Sequence, residues 1–293
     1  MFLGGGSSMV ESLFQTEDSG SNPTPSLHYP SPDRDYAIQQ ISTQEMSNFT
    51  AKWHYSKSMP RLTKICYGGF REGKLVAAIS FGWGSRPLHT IRKLFPGLTT
   101  KDYFEIGRMC LEDDEPKNSE TKFMSLVFRQ LKKDFPGLKL IFTWSDGMWG
   151  KPGYVYQAGN FLYGGYIWTD AYLDEKGQKL HPFQLQGEWR RRGLVIEGRS
   201  KRRRPTLEEM NSLGWKHYYG KQFRYILFLC GKRERGNLLS TSTVEWGLNH
   251  PKDKDCEWKV TIDRGKKVFC ESPMFKKSVN FHETEGSNAN PSK

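Results

Sequence analysis

The chain has 293 residues, 36% hydrophobic and 14% aromatic, enough to bury a substantial core. Its formal net charge of +12 favours polyanionic partners, nucleic acid first, because neutralising phosphates releases condensed counterions. No apolar run approaches the roughly 18 residues that a bilayer span needs, and the first residues lack the basic start and continuous apolar stretch of a signal peptide, so a soluble cytoplasmic protein with no membrane partner is expected.

Residues 1–35 are rich in Gly, Ser, Pro and Asp without an apolar period, which predicts a disordered leader. Ser42-Thr43-Gln44-Glu45 has the form of a capping box and opens a predicted helix through Lys52, followed by a loop carrying His54. A hairpin is predicted from Ile65 to Arg71 and Lys74 to Phe81, turning at Glu72-Gly73, and Tyr103 to Cys110 reads as a further strand. Asn118 or Ser119 can cap a helix in which Phe123, Leu126, Val127, Leu131 and Phe135 recur at near-helical spacing until Pro136-Gly137 ends it. Leu138 to Trp144 is almost continuously apolar, as a central strand is, with Asp146 just past its end. Tyr154 to Phe161 suits a short helix. Tyr166 to Leu173 and Tyr225 to Cys230 suit closing strands, and Glu257 to Cys270 suits a hairpin turning at Asp263-Arg264-Gly265. The pattern predicts an α/β protein: a mixed central sheet with helices on its faces. One main domain over 36–236 is expected, with a basic insert near 187–205 and an extension over 237–293 ending in a disordered tail. The odd number of cysteines, five, fits reduced thiols in a reducing compartment.

Several residues have chemistry beyond packing. His54-Tyr55 sets an imidazole beside a phenol, suited to acid/base work, to metal ligation, or simply to a packed loop. Asp146 stands at the carboxyl end of a buried strand, where open α/β sheets bind ligands, although an Asp before Gly also caps turns. Arg108 lies in an apolar strand and requires a carboxylate, Asp146 or Glu105, or an anionic ligand. Tyr156 and Asn160, at i and i+4 of the short helix, would share a face. Lys117-Asn118-Ser119 offers helix-start amides to a phosphate. Arg190, Arg191 and Arg192, then Arg202, Arg203 and Arg204, with Trp189, Trp215, Tyr218 and Tyr219 nearby, mix cations and flat rings in the manner of a DNA-binding segment. His250, Cys256, Cys270 and His282 lack the paired spacing of structural zinc.

The segments HYSKSMP, YGGFREGKLVAAISFG, GRMCLEDDEPKNSE, LKKDFPGLKLIFTWSD, YVYQAGNFLYGG and KQFRYILFL, taken jointly and in order, resemble the Mom family of bacteriophage DNA-adenine modification proteins. That resemblance implies a mostly antiparallel sheet of the Gcn5-related acetyltransferase kind. It also implies transfer of a glycinamide-like (methylcarbamoyl) group to N6 of adenine in phage DNA, which protects the DNA from host restriction in the host cytoplasm. It carries the family's functional positions onto His54, Tyr55, Arg108, Ser119, Asp146 and Tyr156. In this reading Asp146 accepts the N6 proton, Tyr156 polarises the donor carbonyl, and His54 with Tyr55 is a proton relay or an iron-type metal site. Arg108, Ser119 and Asn160 would bind substrate, and the target adenine would be flipped out of double-stranded DNA. Residues 116–121 contain no glycine of an acetyltransferase phosphate loop, so the activated acyl donor is acetyl-coenzyme A or an aminoacyl-tRNA. Two rivals are a non-catalytic DNA-binding protein on a degenerate transferase scaffold and an acyl-coenzyme A N-acetyltransferase acting on another amine.

Overall fold

The computed structural model describes residues 36–84, 87–180, 206–263 and 265–274. The expected leader, the insert with Arg190, Arg191, Arg192, Arg202, Arg203 and Arg204, and the tail beyond 274 lie outside the described residues. The described residues fall into two compact units, the first within Met1–Ser145, Gly153–Tyr166 and Phe223–His250, the second within Asp146–Pro152, Ile167–Gln222 and Pro251–Lys293.

In the first unit β1 (Ala37–Ile41) pairs antiparallel with β2 (Thr63–Arg71), β2 with β3 (Lys74–Gly82), and β3 with β4 (Tyr103–Leu111). β4 then pairs parallel with β5 (Leu140–Ser145), and β5 antiparallel with Phe223–Phe228 of β8 (Lys216–Phe228). The sheet is therefore mixed and mostly antiparallel, as expected. The β2–β3 turn works because Glu72 and Gly73 both have positive φ, 50° and 78°, the twist that matches right-handed strands.

Helix α1 (Thr43–Trp53) begins in the predicted capping box, in which the Glu45 N–H donates to Ser42 Oγ at 3.1 Å and the Ser42 N–H donates to the Glu45 carboxylate at 2.7 Å. Its Met46 and Phe49 pack with Cys66, Ala78 and Cys110 on one sheet face. The other face receives α3 (Ser119–Asp134): the Tyr67 hydroxyl donates to Asp134 at 2.6 Å, and the Phe128 ring lies 6.2 Å from Phe81. Neighbouring strand residues thus go to opposite layers, Cys66 to one and Tyr67 to the other. Helix α2 (Pro87–Leu94) adds Ile91 and Leu94 to a cluster with Phe95, Tyr103, Leu140, Phe142 and Ile226. The short α4 (Tyr154–Ala158) and β6 (Leu162–Leu173) follow β5.

The second unit contains a 3-10 turn (Gly147–Trp149), Ile167–Leu173 of β6, β7 (Lys179–Leu180), α5 (Leu207–Ser212) and Lys216–Gln222 of β8. The hairpin of β9 (Trp258–Asp263) and β10 (Lys266–Cys270) completes it, with β9 antiparallel to β8. Met148, Ala171 and Trp258 form one core cluster, and Tyr172, Met210 and Trp215 another, under α5.

Sequence and structure differ where polarity hides an element. β1 is short and mostly exposed, and α6 (Lys232–Thr241) contains no buried residue, so neither leaves an amphipathic signature. β8 starts at Lys216 rather than Tyr225, because Lys216, Lys221 and Arg224 interrupt the apolar run without interrupting the ladder. β6 starts at Leu162 rather than Tyr166: Gly164 resembles a turn residue, yet it is required where Trp246 lies flat, 2.2 Å from where a Cβ would be.

Close approach of backbone to backbone also fixes Gly82, whose substituted Cβ would lie 2.0 Å from the Leu62 carbonyl oxygen. Gly82→Ala is expected to cost about 1–3 kcal/mol or more, measured as a lowered urea midpoint; an unchanged midpoint would show that the Leu62 loop yields freely.

Candidate active site

β4 and β5 pair through Tyr103↔Leu140, Phe104↔Ile141 and Glu105↔Phe142 and then part; β4 continues beside β3, and β5 beside β8. A parallel pair that separates at its carboxyl end opens a crevice in the sheet where backbone and side chains meet a ligand. At the same level the β3–β4 register slips: Ser80 faces Arg108 while Phe81 faces Ile106, so Gly107 is an extra residue, a β-bulge. Without it, Glu105 and Arg108, three apart, would point to opposite faces. With it, both share the face of Ser80 and Gly82, which they oppose across the ladder. Gly107 is tightly seated, since a Cβ there would meet Pro60 at 2.9 Å and Ser80 Oγ at 3.0 Å.

Arg108 does not use a carboxylate. Its guanidinium donates to the Ser58 carbonyl at 2.9 Å, to Ser56 Oγ at 3.1 Å and to the Gly107 carbonyl at 2.7 Å, and its N–H donates to Ser80 Oγ at 3.0 Å. The expectation of an Asp146 or Glu105 partner is corrected: among the described residues no carboxylate is at ion-pair distance from it. Arg108 instead clamps the loop that leaves α1, and so fixes His54 and Tyr55 relative to β4. His54 ends α1, its N–H donating to the Thr50 carbonyl at 3.0 Å. Its Nδ1 lies 2.9 Å from the Ser56 N–H and 3.0 Å from the Ser56 carbonyl oxygen, so either tautomer of the ring finds a partner at this nitrogen. The Tyr55 ring stacks on the imidazole at 4.3 Å and is 45% exposed.

Glu105 makes no hydrogen bond or ion pair among the described residues, and burial pushes its carboxyl up to about 7. Gly84, with φ of 69°, leaves the space: a Cβ there would lie 2.1 Å from Glu105 Oε2. The strand pattern alone presents Glu105 only as a possible partner for Arg108; the signal that could have found it is an acid flanked by Phe104 and Ile106 two residues before a glycine.

Tyr156 is carried by α4, whose N-cap Gly153 has φ of 99° and lies so flat on Tyr225 that a Cβ would be 2.7 Å from the ring. The Tyr156 ring sits 5.3 Å from Phe161 and 5.6 Å from Tyr225. Burial raises its phenol pKa, while Thr143 and Arg108 oppose the rise and Glu105 adds to it. Tyr156 therefore senses both charged residues of the crevice. Asn160 does not share a helical face with it: α4 ends at Ala158, and Asn160 lies beyond in a left-handed conformation, φ 59°, exposed. Ser119, the first residue of α3, is buried beside Tyr36. Asp146 follows β5 directly, belongs to the second unit, and accepts from the Met148 N–H at 3.2 Å, so it does cap the next turn.

The donor set around His54 does not suit a resident metal, because no group of three His, Cys, Asp or Glu among the described residues could hold one. The start of α3 is an imperfect phosphate site. Asn118 makes no side-chain cap, which leaves first-turn amides for an anion, but Asp113, Asp114 and Glu120 are exposed around it, and only Glu112 and Glu115 are neutralised, by Lys74 and Arg71.

Residues 35–244 match the model of the Mom protein family. The chain belongs to the Mom protein family. A curated Mom relative, the methylcarbamoylase mom of Escherichia phage Mu, is 29% identical over 210 residues, covering 69% of this chain and 81% of its own length. Family membership thus supports a transferase concerned with phage DNA modification. Solved structures similar to this Mom protein include an agmatine N-acetyltransferase (TM-score 0.37, 13% identity, 67% of this chain and 100% of that one) and a Drosophila melanogaster polyamine N-acetyltransferase (TM-score 0.36, 11% identity, the same coverage). No helix among the described residues is long and apolar enough to cross a membrane.

A carboxyl with its folded pKa raised binds more protons folded than unfolded between the ordinary glutamate value and about 7, so stability falls as pH rises through that window. Glu105→Gln is expected to match the parent near pH 4 and to exceed it at pH 8 by at most about 3 kcal/mol, read from urea midpoints at the two pH values. Parallel pH profiles would show that Glu105 is ordinarily solvated.

Proposed function

We propose that this Mom protein transfers a methylcarbamoyl, glycinamide-like group to N6 of adenine in phage DNA and thereby protects that DNA from host restriction. The reading is supported by the match of residues 35–244 to the Mom model and by the hydrogen bonds that tie Arg108 to the His54 loop at the level where β4 and β5 part.

The chemistry sets the requirements. The N6 lone pair of adenine is delocalised into the ring, so attack on the donor carbon that becomes bonded to N6 needs the N6 proton removed as the N–C bond forms and the bond from that carbon to the leaving group breaks. Glu105, poised near neutrality, and Asp146, at the end of β5, are the two acceptors proposed for that proton. The Tyr156 hydroxyl donates to the carbonyl oxygen of the donor and polarises it. The His54 imidazole, with the Tyr55 phenol beside it, returns a proton to the leaving group. Arg108 orients the loop and adds positive potential. The donor has to carry the amide nitrogen of the group as well as its two carbons: an aminoacyl-tRNA charged with glycine holds all three, whereas acetyl-coenzyme A alone would give an N6-acetyl product. The adenine leaves the duplex stack to be reached, and the arginine-rich segment from Arg190 to Arg204 holds the surrounding phosphates.

Mass spectrometry of nucleosides from DNA of cells expressing the chain tests this directly: a heavier deoxyadenosine is expected, and unchanged bases would leave a DNA-binding protein as the better reading. Asp146→Asn and Glu105→Gln separate the two acceptors. The true acceptor's replacement is expected to reduce modified adenine by a factor on the order of 10²–10⁴ while DNA binding persists; full modification in both variants would remove carboxylate catalysis from the scheme.

A further inference from the structure

In the second unit, one face of the sheet carries a set of side chains that packing explains only in part. β8 presents His217, Tyr219 and Lys221 to this face; β6 adds Trp168, Asp170 and Tyr172, and the β9–β10 hairpin adds Lys259, Thr261, Lys267 and Phe269. The opposite face is ordinary core, with Met148, Ala171 and Trp258.

Half of the face is closed. Tyr172 packs with Met210 and Trp215 and stacks on His217 at 4.3 Å, and His217 Nε2 lies 2.8 Å from the Asp170 carboxylate. The other half is open and cationic. Lys259 Nζ sits between two rings, 4.3 Å from the centre of Trp168 and 4.5 Å from that of Phe269, and Lys267 Nζ lies 3.6 Å above Tyr219. Neither lysine has a carboxylate partner among the described residues, unlike Lys221, which pairs with Glu257 at 2.9 Å. Phe269 is 66% exposed at the end of this row, an apolar ring offered to water on a strand that could have carried a polar residue at no cost to its ladder.

The exposed ring of Phe269, beside two lysines that have no carboxylate partner among the described residues, suits one ligand chemistry: unstacked bases joined by phosphates. Duplex DNA keeps its bases stacked on each other and offers only its backbone to such a surface. We propose that this face binds single-stranded DNA, a base stacking on Phe269 and phosphates meeting the ammonium groups of Lys259 and Lys267. The proposal rests on the reading of DNA as the substrate in naming the polymer; it gives the protein a place for a strand whose pairing is disrupted.

Fluorescence anisotropy with the full chain tests it, using a labelled oligo(dT) 12-mer, a duplex of equal length and oligo(U). The parent is expected to prefer oligo(dT) to duplex. Phe269→Ala should weaken oligo(dT) binding about tenfold and the duplex little, with Phe269→Trp restoring it. Lys259→Ala with Lys267→Ala should lower the salt slope for the single strand by about 1.4. Both sites are on the surface, and unchanged thermal midpoints establish that the variants fold. The proposal is overturned if the parent prefers duplex, if oligo(U) binds more tightly than oligo(dT), or if the variants bind oligo(dT) like the parent. Adenine modification is scored separately: modified DNA with variant-insensitive oligo(dT) binding sinks the surface and spares the transferase, and the reverse pattern sinks the transferase alone.

Discussion

The parting of β4 from β5 after Glu105 and Phe142 is the constraint from which the candidate site follows. Backbone groups of a strand must be satisfied by a neighbour, a side chain or a ligand. β4 meets that demand on one side by staying with β3, and its other side past Glu105 is left open to the crevice. The bulge at Gly107 occurs at the same level and turns Arg108 onto the face that already holds Glu105. A carboxyl and a guanidinium from one short strand segment are thereby brought to one opening without being paired to each other.

That separation has an electrostatic consequence. Paired with Arg108, Glu105 would be ionised throughout the neutral range, held down by the cation. Because the guanidinium is spent on the Ser56 hydroxyl and the Ser58 and Gly107 carbonyls, the carboxyl is shifted by burial alone, to about 7. The same hydrogen bonds tie the His54–Tyr55 loop to the sheet. One arginine thus both positions the imidazole and leaves a carboxyl able to exchange a proton near neutrality.

The second unit resolves a different problem with similar means. One face of its sheet is buried by Met148, Ala171 and Trp258, and Tyr172, Met210 and Trp215 cover part of the other. The remainder of that other face carries rings and lysines. Ring–ammonium contacts hold Trp168, Tyr219 and Phe269 in place, which lowers the ordering cost of a flat ligand that stacks on the exposed Phe269.

Much of the frame was legible in the chain itself. The capping box at Ser42, the Glu72-Gly73 turn, the apolar period from Phe123 to Leu131 and the apolar strand before Asp146 are local features, and local propensity and periodicity decide them. The recurrence of the Mom segments likewise resides in residue order, and it singled out His54, Tyr55, Arg108 and Tyr156. Tertiary structure alone decided what those residues touch: a one-residue slip between β3 and β4 reverses which face Arg108 occupies, and no periodicity records it. The partners of Arg108, the isolation of Glu105, the placement of Asn160 beyond its helix and the open face around Phe269 all depend on strand register and on contacts between residues distant in sequence. Such contacts are set by packing of the whole, where the energy of a side chain depends on neighbours that the local sequence does not name.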